Sequence, residues 1–329
     1  MGIRKVRGAG PVVAALAVVT GLAACGSSGS AALRAGPAPS ARAPVYSLAP
    51  GTVRSSATRR APSSSSGSET GTGASPSTAP SSPRDDLPGY VARLGSGWKT
   101  LLGATFTGSR LDTSLWGTCY PWKSADGCTN FGNSEYEWYV PSQDQVSGGA
   151  LRLVAQRAQT PGRAQDGGAK TYSYRSGMIT TYPSLRYQYG YTQIVARIPY
   201  GPGLWPALWL AASNQKWPPE IDILEHSDTE AQYSEHLHST DMSVQAATES
   251  TENLSAGWHT FGLYWSPSKV IWYIDGQRVM SASTGVPRQS MYLIANLAVN
   301  QQDPAGWEDG SALDIRSVTV WQAASYQGG

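Results

Sequence analysis

Cysteine, histidine and phenylalanine are all scarce in this 329-residue chain, which holds 3 Cys, 4 His and 3 Phe. So few thiols and imidazoles exclude a multi-cysteine zinc module or a small disulfide-stapled scaffold. Charge is thin as well, at 15% of residues. The formal net charge of +2 does not belong to the body of the chain. Arg4, Lys5 and Arg7 sit at the extreme N-terminus, and seven more basic residues lie in the low-complexity stretch after it, against Glu69, Asp85 and Asp86. That leaves 15 basic and 20 acidic residues, a balance of −5, so nothing draws in a nucleic acid electrostatically. Long helical periodicity is missing too. The apolar run at 11–22 is shorter than the ~20 residues of a membrane span.

What is present begins with the layout of an export signal, basic residues before the apolar run. Leu22-Ala-Ala-Cys25 matches the lipobox, where bacterial lipoproteins are cut before a lipid-modified cysteine. Plain secretory cleavage near Ala24 is the alternative. Residues 1–24 are read as a lipoprotein signal peptide and Cys25 as the lipidated residue. Residues 25–95 are dominated by Ser, Pro, Ala, Gly and Thr, with almost no aromatics, and read as a disordered tether. A flexible coil of about 70 residues would span roughly 45 Å. The expectation is an exported protein on the extracellular face of the cell membrane, touching it only through a lipid anchor. With Cys25 lipidated, Cys119 and Cys128 remain and are expected to pair in an oxidising compartment. Their bridge would contribute on the order of 2–3 kcal/mol and pin a surface loop carrying Trp116, Tyr120 and Trp122.

Residues 96–326 are long enough for one large domain with its own core, and their pattern is β. Leu151-Arg-Leu153-Val-Ala155-Gln-Arg157, Ile194-Val-Ala196-Arg-Ile198 and Ser317-Val-Thr-Val320-Trp321 alternate. Val270-Ile-Trp-Tyr-Ile274 runs through Asp275-Gly276 into Gln277-Arg-Val279, a hairpin with its expected turn. The fold class predicted is all-β: an antiparallel β-sandwich of jelly-roll, concanavalin-like form with a concave groove. The plentiful aromatics, 12 Trp and 17 Tyr, combine a flat apolar face with a polar edge, which suits the two faces of a pyranose. Trp205, Trp209 and Trp217 precede an acidic segment and would floor such a groove, with core packing as the competing reading.

That segment, Trp217-Pro-Pro-Glu220-Ile-Asp222-Ile-Leu-Glu225, crowds three carboxylates into six residues. Side chains alternate along a strand, so Glu220 and Asp222 share a face and Glu225 falls on the other. One β-bulge between Asp222 and Glu225 restores parity. The two glutamates can then approach to roughly 5–6 Å, near the ~5–5.5 Å of a retaining glycosidase. A solvated strand edge and a carboxylate cation site are the competing readings. Ile221, Ile223 and Leu224 favour a central strand with one buried face, which requires a cleft for the acids.

At these residues the chain resembles glycoside hydrolase family 16, in its laminarinase-like branch with a β-bulged Glu-x-Asp-x-x-Glu strand. The likeness covers most of 97–322. It includes Gly203-Leu-Trp205-Pro-Ala-Leu-Trp209-Leu, Trp258-His-Thr260-Phe-Gly-Leu-Tyr-Trp265, Trp272-Tyr-Ile-Asp275-Gly276 and Tyr292-Leu-Ile-Ala-Asn296-Leu. The resemblance implies a retaining endo-glycosidase acting by double displacement on a β-linked polysaccharide, foremost a β-1,3-glucan. Glu220 would be nucleophile, Asp222 its hydrogen-bonding helper and Glu225 acid/base. Substrate contacts are implied at Asn133 and Glu135, at Arg175 and at Asn296. A histidine facing the acid/base is also implied. His238 is taken for it, with His236 on the same strand face as the alternative and a metal-binding pair as the competing reading. Pro219, Ala104-Thr-Phe106 and Ala298-Val-Asn300-Gln-Gln depart from the family's pattern, the last in a groove wall. A transglycosylase, a galactan or agar-type hydrolase and a non-catalytic carbohydrate-binding protein remain as alternatives. No cofactor is required and no metal ligands are expected. Relatives often carry a structural calcium, but no Asp-rich loop compels one here. The expected partner is a polysaccharide, and the chain is expected to be a monomer.

Overall fold

The computed structural model describes residues 87–122, 124–226, 233–241, 244–246, 254–300 and 307–326. The expected signal peptide, Cys25 and the tether as far as residue 86 lie outside the described residues. What is described is mainly strand. One antiparallel sheet of eight strands has the spatial order Gln277–Ala282, Val270–Ile274, His259–Trp265, Gly190–Arg197, Ala312–Gln322, Ala150–Val154, Asp144–Ser147. Lys99–Thr105 pairs with the Ala312–Gln322 strand as its eighth member. A six-stranded sheet runs Val244–Ala246, Tyr233–His238, Glu220–His226, Leu204–Ala212, Met291–Val299, Met178–Thr180. A small third sheet joins Glu137–Tyr139, Ala169–Ser176 and Gln156–Arg163. This is the antiparallel β-sandwich that the alternation predicts.

The period of two sorts side chains between two buried layers. Along Met291–Val299, Leu293, Ala295 and Leu297 enter the main core, with Ile194, Ile315 and Trp272 from the larger sheet. Tyr292 and Ile294 point the other way and pack with Tyr120, Tyr139, Met178 and Trp209 on the outer face of the six-stranded sheet. Each fully buried Leu or Ile contributes about 1.5–3 kcal/mol. An exposed ion pair such as Arg163–Asp126, at 2.9 Å, contributes about 0–1 kcal/mol. Core burial therefore holds the fold, and the outer layer gives the site a rigid floor.

The Asp275-Gly276 hairpin forms as expected. Both turn residues have positive φ, 48° and 77°, the pairing that suits the twist of a two-residue hairpin. Three expectations change. The 151–157 stretch is not one strand: Ala155 donates its N–H to Ser311 and accepts from Gly310, which splits it between the large and the small sheet. The ordered domain begins before residue 96, since Gly89–Ala92 is a short helix. Val91 is fully buried, and the Tyr90 hydroxyl lies 2.9 Å from that of Tyr191. Cys119 and Cys128 do form a disulfide, with Cα atoms 4.7 Å apart. The loop it closes is only partly a surface feature: Tyr120 on it and Trp116 just before it are buried, while Asp126 is exposed.

Candidate active site

The acidic strand Glu220–His226 lies between Leu204–Ala212 and Tyr233–His238. Against the first neighbour, Asp222 pairs with Trp209 and Leu224 with Leu208, so the strand advances two residues for its neighbour's one. On the other side Glu220 faces His238, Asp222 faces His236 and Glu225 faces Ser234. One residue is extra, between Asp222 and Glu225, where parity requires it. Ile221, Ile223 and Leu224 enter the core. Glu220, Asp222 and Glu225 all line a single shallow cavity on the opposite face. A bulge interrupts the ladder, and the Asp222 carbonyl there accepts a 2.8 Å bond from the indole N–H of Trp272, a core residue of the other sheet.

The carboxylates sit in a hostile electrostatic setting. Burial foremost, then the charge of Asp222, pushes the Glu220 carboxyl well above the usual range, while His238 and a hydrogen bond from Trp217 pull it down. Burial foremost, then Glu225, pushes Asp222 well above its usual value. Asp222 is only 2% exposed, and its Oδ2 has no hydrogen-bond partner among the described residues. His236 Nδ1 lies 3.1 Å from Glu225 Oε2 and 3.8 Å from Asp222 Oδ2. His238 Nε2 lies 3.3 Å from Asp222 Oδ2 and 3.6 Å from Glu220 Oε1. The expectation that His238 faces Glu225 is thus corrected. The register sets His238 opposite Glu220, and His236 is the one that reaches Glu225.

Asn133, Glu135, Trp205, Trp209 and Asn296 line the same cavity as the three acids. Trp209, Asn296 and Glu135 are joined by a directed chain through Tyr139. Trp209 Nε1 donates to Asn296 Oδ1 at 2.8 Å, Asn296 Nδ2 to the Tyr139 hydroxyl at 3.1 Å, and Tyr139 to Glu135 Oε2 at 3.2 Å. Burial and then neighbouring Glu137 push the Glu135 carboxyl well above the usual range. Tyr120 also lines the cavity and donates to Glu135 Oε1 at 3.3 Å. Sequence reasoning missed Tyr120 as a wall residue; its signal was its place beside Cys119. Three candidates are not on that lining: His238, which stands beside it with Nε2 3.6 Å from Glu220 Oε1, and Trp217 and Arg175. Trp217 is 59% exposed, its ring 5.7 Å from that of His238, so it edges the site rather than flooring it. Arg175 lies in the small sheet, where its Nε donates to Gln156 Oε1 at 2.9 Å. Strand pairing with Gln156 and Trp138 fixes it there.

A larger depression of about 490 Å³, edged by Arg110, Thr118, Ser142 and Gln145, has one carboxylate on its lining among the described residues, Asp144. Asp144 Oδ1 accepts the Met178 N–H at 2.9 Å. Hydrolytic chemistry needs a facing acid pair, so the smaller cavity is the candidate site. Asp222 on its lining, with His236 and His238 on the neighbouring strand, also forms a group able to hold a cation.

The profile of Glycosyl hydrolases family 16 matches residues 132–313. The chain is 30% identical over 260 residues to Endo-1,3-1,4-beta-glycanase ExsH of Rhizobium meliloti (strain 1021), covering 72% of this chain and 55% of the relative. It is 32% identical over 200 residues to Endo-1,3-1,4-beta-glycanase EglC of the same organism, covering 57% and 42%. It thus spans about half the length of these relatives. Among solved structures it is similar to the catalytic domain of an endo-1,3-beta-glucanase (laminarinase) from Thermotoga petrophila RKU-1. That match has a TM-score of 0.59 and 26% identity, over 69% of this chain and 99% of the other.

Proposed function

The chain belongs to family 16 of the glycosyl hydrolases, and from that premise we propose that it is a retaining endo-glycosidase cleaving a β-linked glucan, foremost at β-1,3 linkages. One observation carries the reading: a bulged strand that turns Glu220, Asp222 and Glu225 toward one cavity. The names of the relatives, endo-1,3-1,4-beta-glycanases and a laminarinase, support the substrate class.

In this reading Glu220 attacks the anomeric carbon while Glu225 protonates the departing glycosidic oxygen, leaving a glycosyl ester on Glu220. Glu225 then takes a proton from water, and the water oxygen displaces Glu220 with net retention. His236, 3.1 Å from Glu225, holds the acid/base in place. His238, 3.6 Å from Glu220 and 3.3 Å from Asp222, positions the nucleophile and links it to Asp222. Trp205 offers a sugar-stacking face, whereas the indole N–H of Trp209 is already held by Asn296. The attack requires Glu220 ionised, and its raised pKa sets the acid side of the activity profile above the ordinary carboxylate range.

The finer reading is a lipoprotein of the laminarinase-like branch, acting as a monomer outside the cell on a tether from Cys25. The Leu22-Ala-Ala-Cys25 sequence and the Ser/Pro-rich stretch after it support this. Palmitate labelling in the producing cell, lost in Cys25→Ala, is the expected outcome; a label that survives the substitution rejects the anchor. Substrate is tested by incubating the protein with laminarin, mixed-linkage β-glucan, agar and galactan, with product sizing. Short oligosaccharides from the β-1,3-containing glucans are expected. Release from agar or galactan alone would move the protein to another substrate class, and release from none would leave a binding protein.

A further inference from the structure

Asp222, His236 and His238 form a cluster with a second capability. Their ligand atoms lie within 4.8 Å of one another, and Glu225 Oε2 is 3.1 Å from the same His236 nitrogen. Around a tetrahedral zinc with bonds of about 2.0–2.1 Å, ligand atoms stand about 3.3–3.4 Å apart. The separations here are 3.3 Å for Asp222–His238 and 3.8 Å for Asp222–His236, with no pair beyond 4.8 Å, so side-chain shifts of about 1.5 Å or less close the three on one ion. An independent observation points the same way. Asp222 is 2% exposed with an Oδ2 that accepts no hydrogen bond among the described residues and faces both imidazoles. A buried carboxylate oxygen without a donor is costly, and a cation would satisfy it.

The surroundings favour a cation of a definite kind. No Lys or Arg is among the described residues lining the cavity, and the imidazoles of His236 and His238, beside that lining, are the cationic groups within 4 Å of its acids among the described residues. Two imidazoles and a carboxylate suit zinc or copper, whereas magnesium and calcium want oxygen shells. The sheet builds this donor set: His236 and His238 are two apart on one strand face, and Asp222 is paired with His236 across the ladder.

We propose that Asp222, His236 and His238 bind one divalent transition-metal cation, with Glu225 as fourth ligand, and that the ion reversibly blocks the hydrolytic site. Binding stands on the geometry alone; inhibition rests on the glycosidase reading. The ion is exchangeable rather than resident. His238 Nδ1 is buried with no partner among the described residues, and dedicated sites orient that second nitrogen, at 10–100-fold in affinity.

The test is a calorimetric titration of the purified protein with zinc chloride in a non-coordinating buffer. One site with Kd of about 1–10 μM is expected, weakened at least tenfold in His236→Ala and in Asp222→Asn, with no comparable binding of magnesium. Melting curves establish that both variants fold. No saturable site below about 1 mM zinc, or binding unchanged in both folded variants, overturns the proposal. If glucan hydrolysis is observed, it should fall with zinc occupancy and return with EDTA; hydrolysis indifferent to bound zinc defeats the inhibitory role. Zinc binding as described with no hydrolysis of any glycan upholds the site and defeats the glycosidase reading instead.

Discussion

Asp222 sits among two carboxylates and two imidazoles, those of Glu220, Glu225, His236 and His238, and its environment makes it expensive to ionise. Burial and Glu225 hold its pKa well above the ordinary value. A folded-state pKa above the unfolded one means that the native protein keeps a proton which the unfolded chain releases. That stabilising contribution is present below the unfolded pKa of about 3.9 and is lost as pH rises through the raised folded value. At neutral pH the residue therefore costs stability. Asp222→Asn should melt a few degrees higher than the parent at pH 7, about 1–2 kcal/mol, with the gain shrinking toward pH 4. The same variant should lose activity and shift the acid limb of kcat/KM downward, because Asp222 is the second cause of Glu220's raised pKa. Melts and pH–rate profiles in EDTA check both, and a lower melting temperature at pH 7 contradicts the sign. The acids were legible in the sequence because three carboxylates among Ile and Leu have few harmless explanations. The histidine assignment was not, since which of His236 and His238 meets Glu225 depends on a cross-strand register that one strand's sequence does not carry.

The bulge is the element on which the site is built, and it is held from behind. Trp272 reaches through the core to donate to the Asp222 carbonyl at 2.8 Å. Trp272→Phe keeps most of the ring volume and removes the donor. Destabilisation of about 1–3 kcal/mol is expected from the orphaned carbonyl. A fall in kcat of roughly tenfold or more with KM little changed would follow, because Glu220 and Glu225 lose their fixed relation. Michaelis kinetics on the folded variant test this, and an unchanged kcat removes Trp272 from the account. Parity alone made the bulge readable: no other single irregularity brings Glu225 to the face of Glu220. The Asp275-Gly276 turn was readable for the same local reason. The break at Ala155 was not, because its cause is a pairing with Gly310 and Ser311, distant in sequence. The Gly89–Ala92 helix was hidden in Ser- and Pro-rich surroundings, although Leu87, Tyr90, Val91 and Leu94 already fall on one helical face.

At the scale of the molecule, one sheet supplies the support and the other the chemistry. The main core lies between them, and the outer face of the six-stranded sheet has its own buried layer of Tyr120, Tyr139, Trp209 and Tyr292. The disulfide loop belongs to that layer, since Tyr120 stacks on Trp122 at 4.0 Å and reaches Glu135. Fold class was legible from alternation and turn residues, both local signals. Arg175 was misplaced for the opposite reason, because its position depends on a third sheet that nothing in its own neighbourhood announces. The central claim is that Glu220 becomes covalently bonded to the sugar. Incubation with an activated 2-deoxy-2-fluoro-β-glucan oligosaccharide, followed by peptide mass spectrometry, tests it most directly. One adduct on the peptide carrying Glu220, lost in Glu220→Gln along with at least ~10³-fold of the turnover, is the result predicted. An adduct on Glu225, or glucan hydrolysis undiminished in Glu220→Gln, would contradict it.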